Sequence, residues 1–169
     1  MTLPPLASKI VDPRGCTDDT LQQALSHLPR PWVFTNGVFD VLHRGHVTYL
    51  AQARAQGASL IVALNSDAST RRLGKGDDRP INRLEDRAAV IASLEAVSAV
   101  TWFEDDTPLV LIRAIRPDVL VKGGDWSADA IVGANDVRGW GGTVHSIPFL
   151  HQKSTTALLA AIRKNDLKQ

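Results

Sequence analysis

The segment His43-Arg44-Gly45-His46 places two imidazoles three residues apart around a glycine. It follows Asn36-Gly37-Val38-Phe39-Asp40, which itself follows a short apolar run from Trp32 to Thr35. A helix N-terminus presents unpaired N–H groups and the positive end of a dipole, so a polyphosphate would be held where a helix opens beyond this segment. Imidazoles beside it can donate hydrogen bonds to oxygens that gain charge during reaction. Gly37 has no side chain where the backbone must approach a phosphate closely. A lone histidine in such a place is ordinarily a capping or surface residue. Two of them around a glycine, between Gly-x-Phe-Asp and a helix, point to phosphate chemistry instead.

Other segments carry charge or hydroxyls where a phosphate could use them. The stretch 71–80 concentrates Arg71, Arg72, Lys75 and Arg79 among Gly74 and Gly76. It reads either as a solvated basic loop or as a mobile lid in which Lys75 closes over phosphates. Arg87 either reaches the same phosphates or pairs on a helix surface with Glu85 or Asp86. Lys122 ends an apolar strand ahead of Gly123, Gly124 and Asp125, a position suited to a phosphate contact. Ser154-Thr155-Thr156 opens the last helix, where the hydroxyls serve as caps or as phosphate donors. Trp126 is packing or a pocket wall. His27, His145 and His151 show no partner pattern and are read as structural, and Trp32, Trp102 and Trp140 as core or interface.

The elements that would position these residues alternate. Helices are predicted at Asp18 to Leu28, Val47 to Gln56, around Leu84, Ala88, Ile91 and Leu94, after Pro108, and from Ser154 to Lys164. Strands are predicted at Trp32 to Thr35, Leu60 to Leu64, Ala99 to Phe103, Val119 to Val121 and Thr143 to Ile147, with a polar loop from Asn65 to Asn82. Continuous apolar strands between helices indicate an α/β fold, a Rossmann-like, doubly wound parallel sheet of about five strands with helices on both faces. Ligands in such sheets sit beyond the carboxyl ends of the strands. That rule selects Asn36 to His46, Asn65 to Arg79, Lys122 to Asp125 and Ile147 to Thr156. Residues 1–30 read as an N-terminal helical extension and 31–169 as the main domain.

The 169 residues suit one compact domain, large enough to fold without a disulfide or metal. Cys16 is the single cysteine, and no Cys/His group has zinc-site spacing. No apolar run is long enough for a signal peptide or a membrane span, and a cytoplasmic setting without membrane partners is expected. The formal charge of +1, from 19 basic against 18 acidic residues, argues against a nucleic-acid partner.

Gly37-Val38-Phe39-Asp40 with His43-Arg44-Gly45-His46 resembles the signature of the cytidylyltransferase-like nucleotidyltransferases. Asn65-Ser66-Asp67, Lys75-Gly76, Arg79-Pro80, Glu85-Asp86-Arg87, Glu104 to Pro108 and Pro117 to Asp125 follow in order. They are similar to the branch of that family that adenylylates D-glycero-β-D-manno-heptose 1-phosphate for the lipopolysaccharide inner core. The resemblance implies that Asn36, Gly37, Val38 and Phe39 line the triphosphate and that Asp40 organises the motif loop. It implies phosphate contacts by His43 and His46 around Gly45, and a pocket lined by Asn65 and Asp67. Lys75 and Lys122 would act on the phosphates, joined by Arg79 and Arg87, while Gly123, Gly124 and Asp125 shape the nucleotide site. Ser154, Thr155 and Thr156 match a family segment that binds nucleotide phosphate, although Gln152 and Lys153 replace the glycine and isoleucine that precede it. Family members commonly form homodimers.

The implied reaction uses ATP as co-substrate and releases pyrophosphate. A sugar phosphate oxygen is already ionised at neutral pH, so positioning and charge stabilisation suffice and no catalytic base is needed. No carboxylate cluster resembles a metal cage, so Mg²⁺ is expected to arrive on the triphosphate. Two other readings remain open: a cytidylyltransferase acting on glycerol 3-phosphate or a choline-type phosphate, and a catalytically silent nucleotide-binding module.

Overall fold

The computed structural model describes residues 6–74, 76, 78–151, 155, 157 and 158. Five strands run β1 (Trp32–Gly37), β2 (Ser59–Asn65), β3 (Ala99–Phe103), β4 (Val119–Gly123) and β5 (Thr143–Ile147). Between and before them lie α1 (Asp18–Leu25), α2 (Arg44–Arg54), α3 (Asp67–Arg72), α4 (Leu84–Ala92), α5 (Leu109–Ile115) and α6 (Ala134–Gly139). All four strand pairings are parallel, in the order β3-β2-β1-β4-β5. The chain therefore winds outwards from β1 in one direction as far as β3 and then returns to add β4 on the other side. The expected Rossmann-like parallel sheet is what forms, and the switch in direction opens a crevice between the ends of β1 and β4.

Alternation along each strand sends side chains to two cores. Trp32, Phe34, Ile61, Ala63 and Leu120 pack with Leu21 and Leu25 of α1, Ile112 and Ile115 of α5, and Val137 of α6. On the opposite face Val33, Leu60, Val62, Leu64, Val100 and Val121 meet Leu50 and Ala53 of α2 and Ile91 and Ala92 of α4. All seven residues of β2 are buried, which is why its sequence Ser-Leu-Ile-Val-Ala-Leu-Asn is nearly all apolar. The free side of β3 is covered by a short bridge from Ile10 to Val100, while Lys9 Nζ donates to the carbonyls of Leu94 and Val97.

Two helices depart from the sequence expectation. The stretch predicted as a loop from Asn65 to Asn82 contains α3, whose N-cap Ser66 accepts from Ser69 N. This helix is only six residues long and polar, so it has no apolar period to read. Helix α6 falls in a segment left without an element. It opens after Gly133, with φ at 85°, and closes near Gly139, so glycine punctuation hides it. Helix α2 starts at Arg44 rather than Val47, and α1 stops at Leu25 rather than Leu28. The closing helix predicted over 154–164 lies largely outside the described residues, and Thr155, Ala157 and Leu158 are helical. Among the described residues no helix is long and apolar enough to cross a membrane.

Candidate active site

A cavity of about 660 Å³ lies beyond the carboxyl ends of the strands. Asn36, Gly37, Val38, Phe39 and His46 line it from β1 and α2, Asn65 from β2, and Lys122, Gly123 and Gly124 from β4.

His43 occupies the N-cap position of α2 with extended backbone, yet its side chain makes no capping bond. Its ring instead stacks on that of His46, with centroids 3.8 Å apart and planes 16° apart. Phe39 meets His46 edge-on at 5.2 Å. Burial lowers the His43 pKa below its usual 6.5. Burial, with a smaller contribution from neighbouring His43, pushes His46 down to about 4. Both rings are therefore neutral at pH 7, each with one N–H to donate. A pair left uncharged in this way sits at the positive end of an eleven-residue helix, where a polyanion would be stabilised.

The loop that carries this pair is held in an uncommon shape. Phe39 has φ at 48°, a left-handed conformation that L side chains adopt at a cost of about 1–3 kcal/mol. A Cβ on Gly37 would stand 2.8 Å from the Phe39 ring, so only glycine lets the ring fold back towards His46. Two buried ion networks enforce the geometry. Asp40 accepts from Arg79 Nε at 2.6 Å, Ile81 N at 2.9 Å and Asn82 N at 2.9 Å, and its own carbonyl accepts from Asn82 Nδ2 at 2.6 Å. Arg87 is 1% exposed. It donates to the carbonyls of Val38 (2.8 Å), Asn65 (2.9 Å) and Asn82 (3.0 Å), and pairs with Asp67 at 2.7 Å. One guanidinium thus ties the end of β1, the end of β2 and the start of α3 together.

The structure accordingly gives Arg79 and Arg87 inward-facing contacts. Arg87 pairs with Asp67, and neither Glu85 nor Asp86 of its own helix takes that place. Asn65 Nδ2 donates to Ser69 Oγ at 3.0 Å, while Lys122 Nζ donates to Asn36 Oδ1 at 3.2 Å across the β1/β4 crevice. Gly45 is buried, and a Cβ there would meet the His43 ring at 3.1 Å. Gly124 takes φ at 113° beside the cavity, and Asp125 is exposed next to it. Thr155 is buried, with Oγ1 3.4 Å from the Val41 carbonyl, so it lies against the motif loop. Lys75, Gln152, Lys153, Ser154 and Thr156 lie outside the described residues.

Several cavity residues were not singled out from sequence. Tyr49 hydrogen-bonds Thr35 Oγ1 at 2.5 Å, and its burial raises the phenol pKa. Phe149 meets Tyr49 edge-on at 5.6 Å; Trp126, read from sequence as packing or a pocket wall, lines the cavity with Nε1 donating to the Gly123 carbonyl. Leu73, Asp106, Thr107, Pro108 and Val132 also line it. Asp106 to Pro108 follow the end of β3, so the strand-end rule applied to that strand would have found them.

Comparison with known proteins agrees with this geometry. The model of the cytidylyltransferase-like family matches residues 34–166. The chain is 58% identical to a D-beta-D-heptose 1-phosphate adenylyltransferase of Bordetella bronchiseptica, over 83% of this chain and 87% of that one. It is 57% identical to a bifunctional protein HldE of Hahella chejuensis over 80% of this chain, and spans 28% of that longer relative. Among solved structures, a lipopolysaccharide core biosynthesis protein from Thermoplasma volcanium superposes with a TM-score of 0.59 at 27% identity, covering 72% of this chain and 98% of its own. A pantoate-beta-alanine ligase from Francisella tularensis shares the fold, with a TM-score of 0.58 at 14% identity over 95% of this chain and 79% of its own. The motif, its placement at the switch point and these matches together mean that the chain belongs to the cytidylyltransferase-like family.

Proposed function

We propose that the chain is an adenylyltransferase that converts D-glycero-β-D-manno-heptose 1-phosphate and ATP to ADP-heptose and pyrophosphate, supplying heptose for lipopolysaccharide. The relative with 58% identity over most of both chains supports the acceptor and the nucleotide. The observation that carries the chemistry is the stacked, neutral His43–His46 pair at the N-terminus of α2, of which His46 lines the cavity and His43 backs it.

An ionised oxygen of the sugar phosphate attacks the α-phosphorus of ATP. The new P–O bond forms as the bond to the β-phosphate oxygen breaks, and pyrophosphate leaves with the electron pair. No proton need be removed. The imidazole N–H groups and the amides opening α2 stabilise charge on the phosphoryl oxygens, while Lys122, set by Asn36, supplies a cation at the crevice. Lys75 closes over the phosphates in the same reading, and Ser154, Thr155 and Thr156 bind the nucleotide. Arg79 and Arg87 serve the nucleotide through the loops they hold. Among the described residues no group of three or more metal-ligating side chains comes together. In this reading a magnesium ion would be carried by phosphate oxygens and water and would neutralise triphosphate charge when bound.

The same reading places the enzyme in the cytoplasm as a homodimer, with residues 1–30 as a helical extension of the domain 31–169. A pyrophosphate-release assay with heptose 1-phosphate and each nucleoside triphosphate tests the function. ATP should be preferred at least about tenfold over CTP, a difference of about 1.4 kcal/mol. Preference for CTP with glycerol 3-phosphate, or nucleotide binding without pyrophosphate release, would overturn it.

A further inference from the structure

The cavity has two chemically different ends. At one end stand His46, Phe39 and the β4 residues Lys122 and Gly123, with the aromatic wall of Tyr49, Trp126 and Phe149. At the other, the loop between β3 and α5 contributes Asp106 and Thr107, and the end of α3 contributes Leu73. Strands in a sheet are about 4.8 Å apart, so the three intervals from β3 to β4 separate these ends by about 14 Å.

The charge at each end decides which part goes where. A triphosphate, which carries only acceptors, is drawn to the helix terminus and Lys122, while the Asp106 carboxylate, its charge offset by Arg72, has no donor to offer it. The β3 end instead suits a neutral group rich in O–H donors, because a carboxylate accepts strong, short hydrogen bonds from hydroxyls. Arg72 fixes the direction of this acceptor. Its Nε donates to Asp106 Oδ1 at 2.6 Å, and its Nη2 donates to the Glu104 carbonyl. Among the described residues no hydrogen bond is made to Asp106 Oδ2, so the tether leaves one oxygen for a ligand. The carboxylate is 78% exposed and does not support the core.

We infer that Asp106 and Thr107 form the subsite for the sugar hydroxyls of the acceptor, with Arg72 as the positioning residue that aims the carboxylate. This rests on the sugar-phosphate reading above. The two residues set acceptor affinity and leave the nucleotide to the opposite end of the cavity.

Steady-state pyrophosphate release by the full chain, with ATP and heptose 1-phosphate varied separately, tests the assignment. Asp106→Asn should raise KM for heptose 1-phosphate about tenfold or more, with KM for ATP within about twofold of wild type. Thr107→Val should show the same split at about threefold, which keeps the test open if one variant folds poorly. Arg72→Ala should raise the acceptor KM about threefold, and Arg72→Lys should recover part of it. An acceptor KM unchanged within twofold in both Asp106→Asn and Thr107→Val overturns the inference. So does an equal rise in KM for ATP, which would assign the loop to the nucleotide or its magnesium. If the wild type fails with heptose 1-phosphate but turns over another phosphorylated acceptor, the heptose reading falls. The subsite then stands or falls on the same split measured with that acceptor. Inactivity with every acceptor overturns both.

Discussion

Two clusters of ionisable side chains lie within a few residues of each other and are built on opposite principles. His43 and His46 are partly buried, stacked and uncharged, and neither caps the helix they open. Asp40, Arg79 and Arg87 are buried and charged, and their hydrogen bonds run to backbone groups and to one another. The first cluster leaves both Nδ1 atoms without a hydrogen-bond partner, and the second gives its hydrogen bonds to the fold. A phosphate ligand therefore meets imidazoles with a nitrogen to spare, while the arginine network keeps the loop in register.

The comparison is broken most severely at Arg87. Replacing it by Met would leave the buried Asn65 carbonyl, the part-buried carbonyls of Val38 and Asn82, and Asp67 without this donor. Removing one partner of such a network costs about 3–5 kcal/mol. Arg87→Met should lower the denaturant midpoint accordingly, with turnover lost in step. A normal midpoint with lost turnover would instead make Arg87 a substrate ligand.

The histidines should behave in the reverse way. His43→Ala or His46→Ala should lower turnover at least about 10²-fold while the unfolding midpoint changes little, because removing one transition-state donor costs this much. Near-normal turnover in both variants would sink the assignment.

Acid separates the clusters by a third route. The His46 pKa is depressed from 6.5 to about 4, so the native state binds fewer protons than the unfolded chain between those values. Stability contributed by the neutral ring is complete above pH 6.5 and falls as pH drops towards 4. With solvent screening of a partly exposed ring, the loss is on the order of 2 kcal/mol. His46→Gln should flatten this part of the pH–stability curve, and an unchanged slope would place the acid sensitivity elsewhere. A polyanion favours the protonated ring, so nucleotide binding should also take up protons near pH 6, measurable by calorimetry in buffers of different ionisation enthalpy.

The two clusters were not equally legible in the sequence. The histidine pair is local, and its spacing around Gly45 together with the preceding strand was enough to find it. The arginine network joins Val38, Asn65 and Asp67 to Arg87, residues 49, 22 and 20 positions distant, and no periodicity encodes such closure. Apolar runs likewise revealed β1 to β4, since a covered parallel sheet demands them, whereas β5, Thr-Val-His-Ser-Ile, is a half-exposed edge strand of alternating pattern. Helix α3 escaped because a six-residue polar helix is set by Ser66 and tertiary contact. The β3–α5 loop escaped because Asp106-Thr107-Pro108 is also an ordinary helix opening, and only the fold brings it to the cavity.

The smallest predicted effect lies at the seam of the two clusters. Gly37 carries no charge and donates no side-chain bond, yet it determines where Phe39 can go. Arg87 fixes the Val38 carbonyl on one side, and the Phe39 ring bears on His46 on the other. In Gly37→Ala the new methyl would meet that ring at 2.8 Å, while the peptide beside it remains anchored. The ring must give way, and His46 loses its edge-on contact with Phe39. Turnover should fall about tenfold, the scale expected when a charge-stabilising group shifts by a fraction of an ångström. The unfolding midpoint should fall by about 1 kcal/mol or less, because the ion network is untouched. A truncated partner distinguishes steric displacement from a direct backbone contact to phosphate: Phe39→Leu in the Gly37→Ala background removes the clash. Recovery of turnover in the double variant would show that the glycine serves the histidine pair through Phe39. Failure to recover would show that the glycine's space belongs to the triphosphate itself.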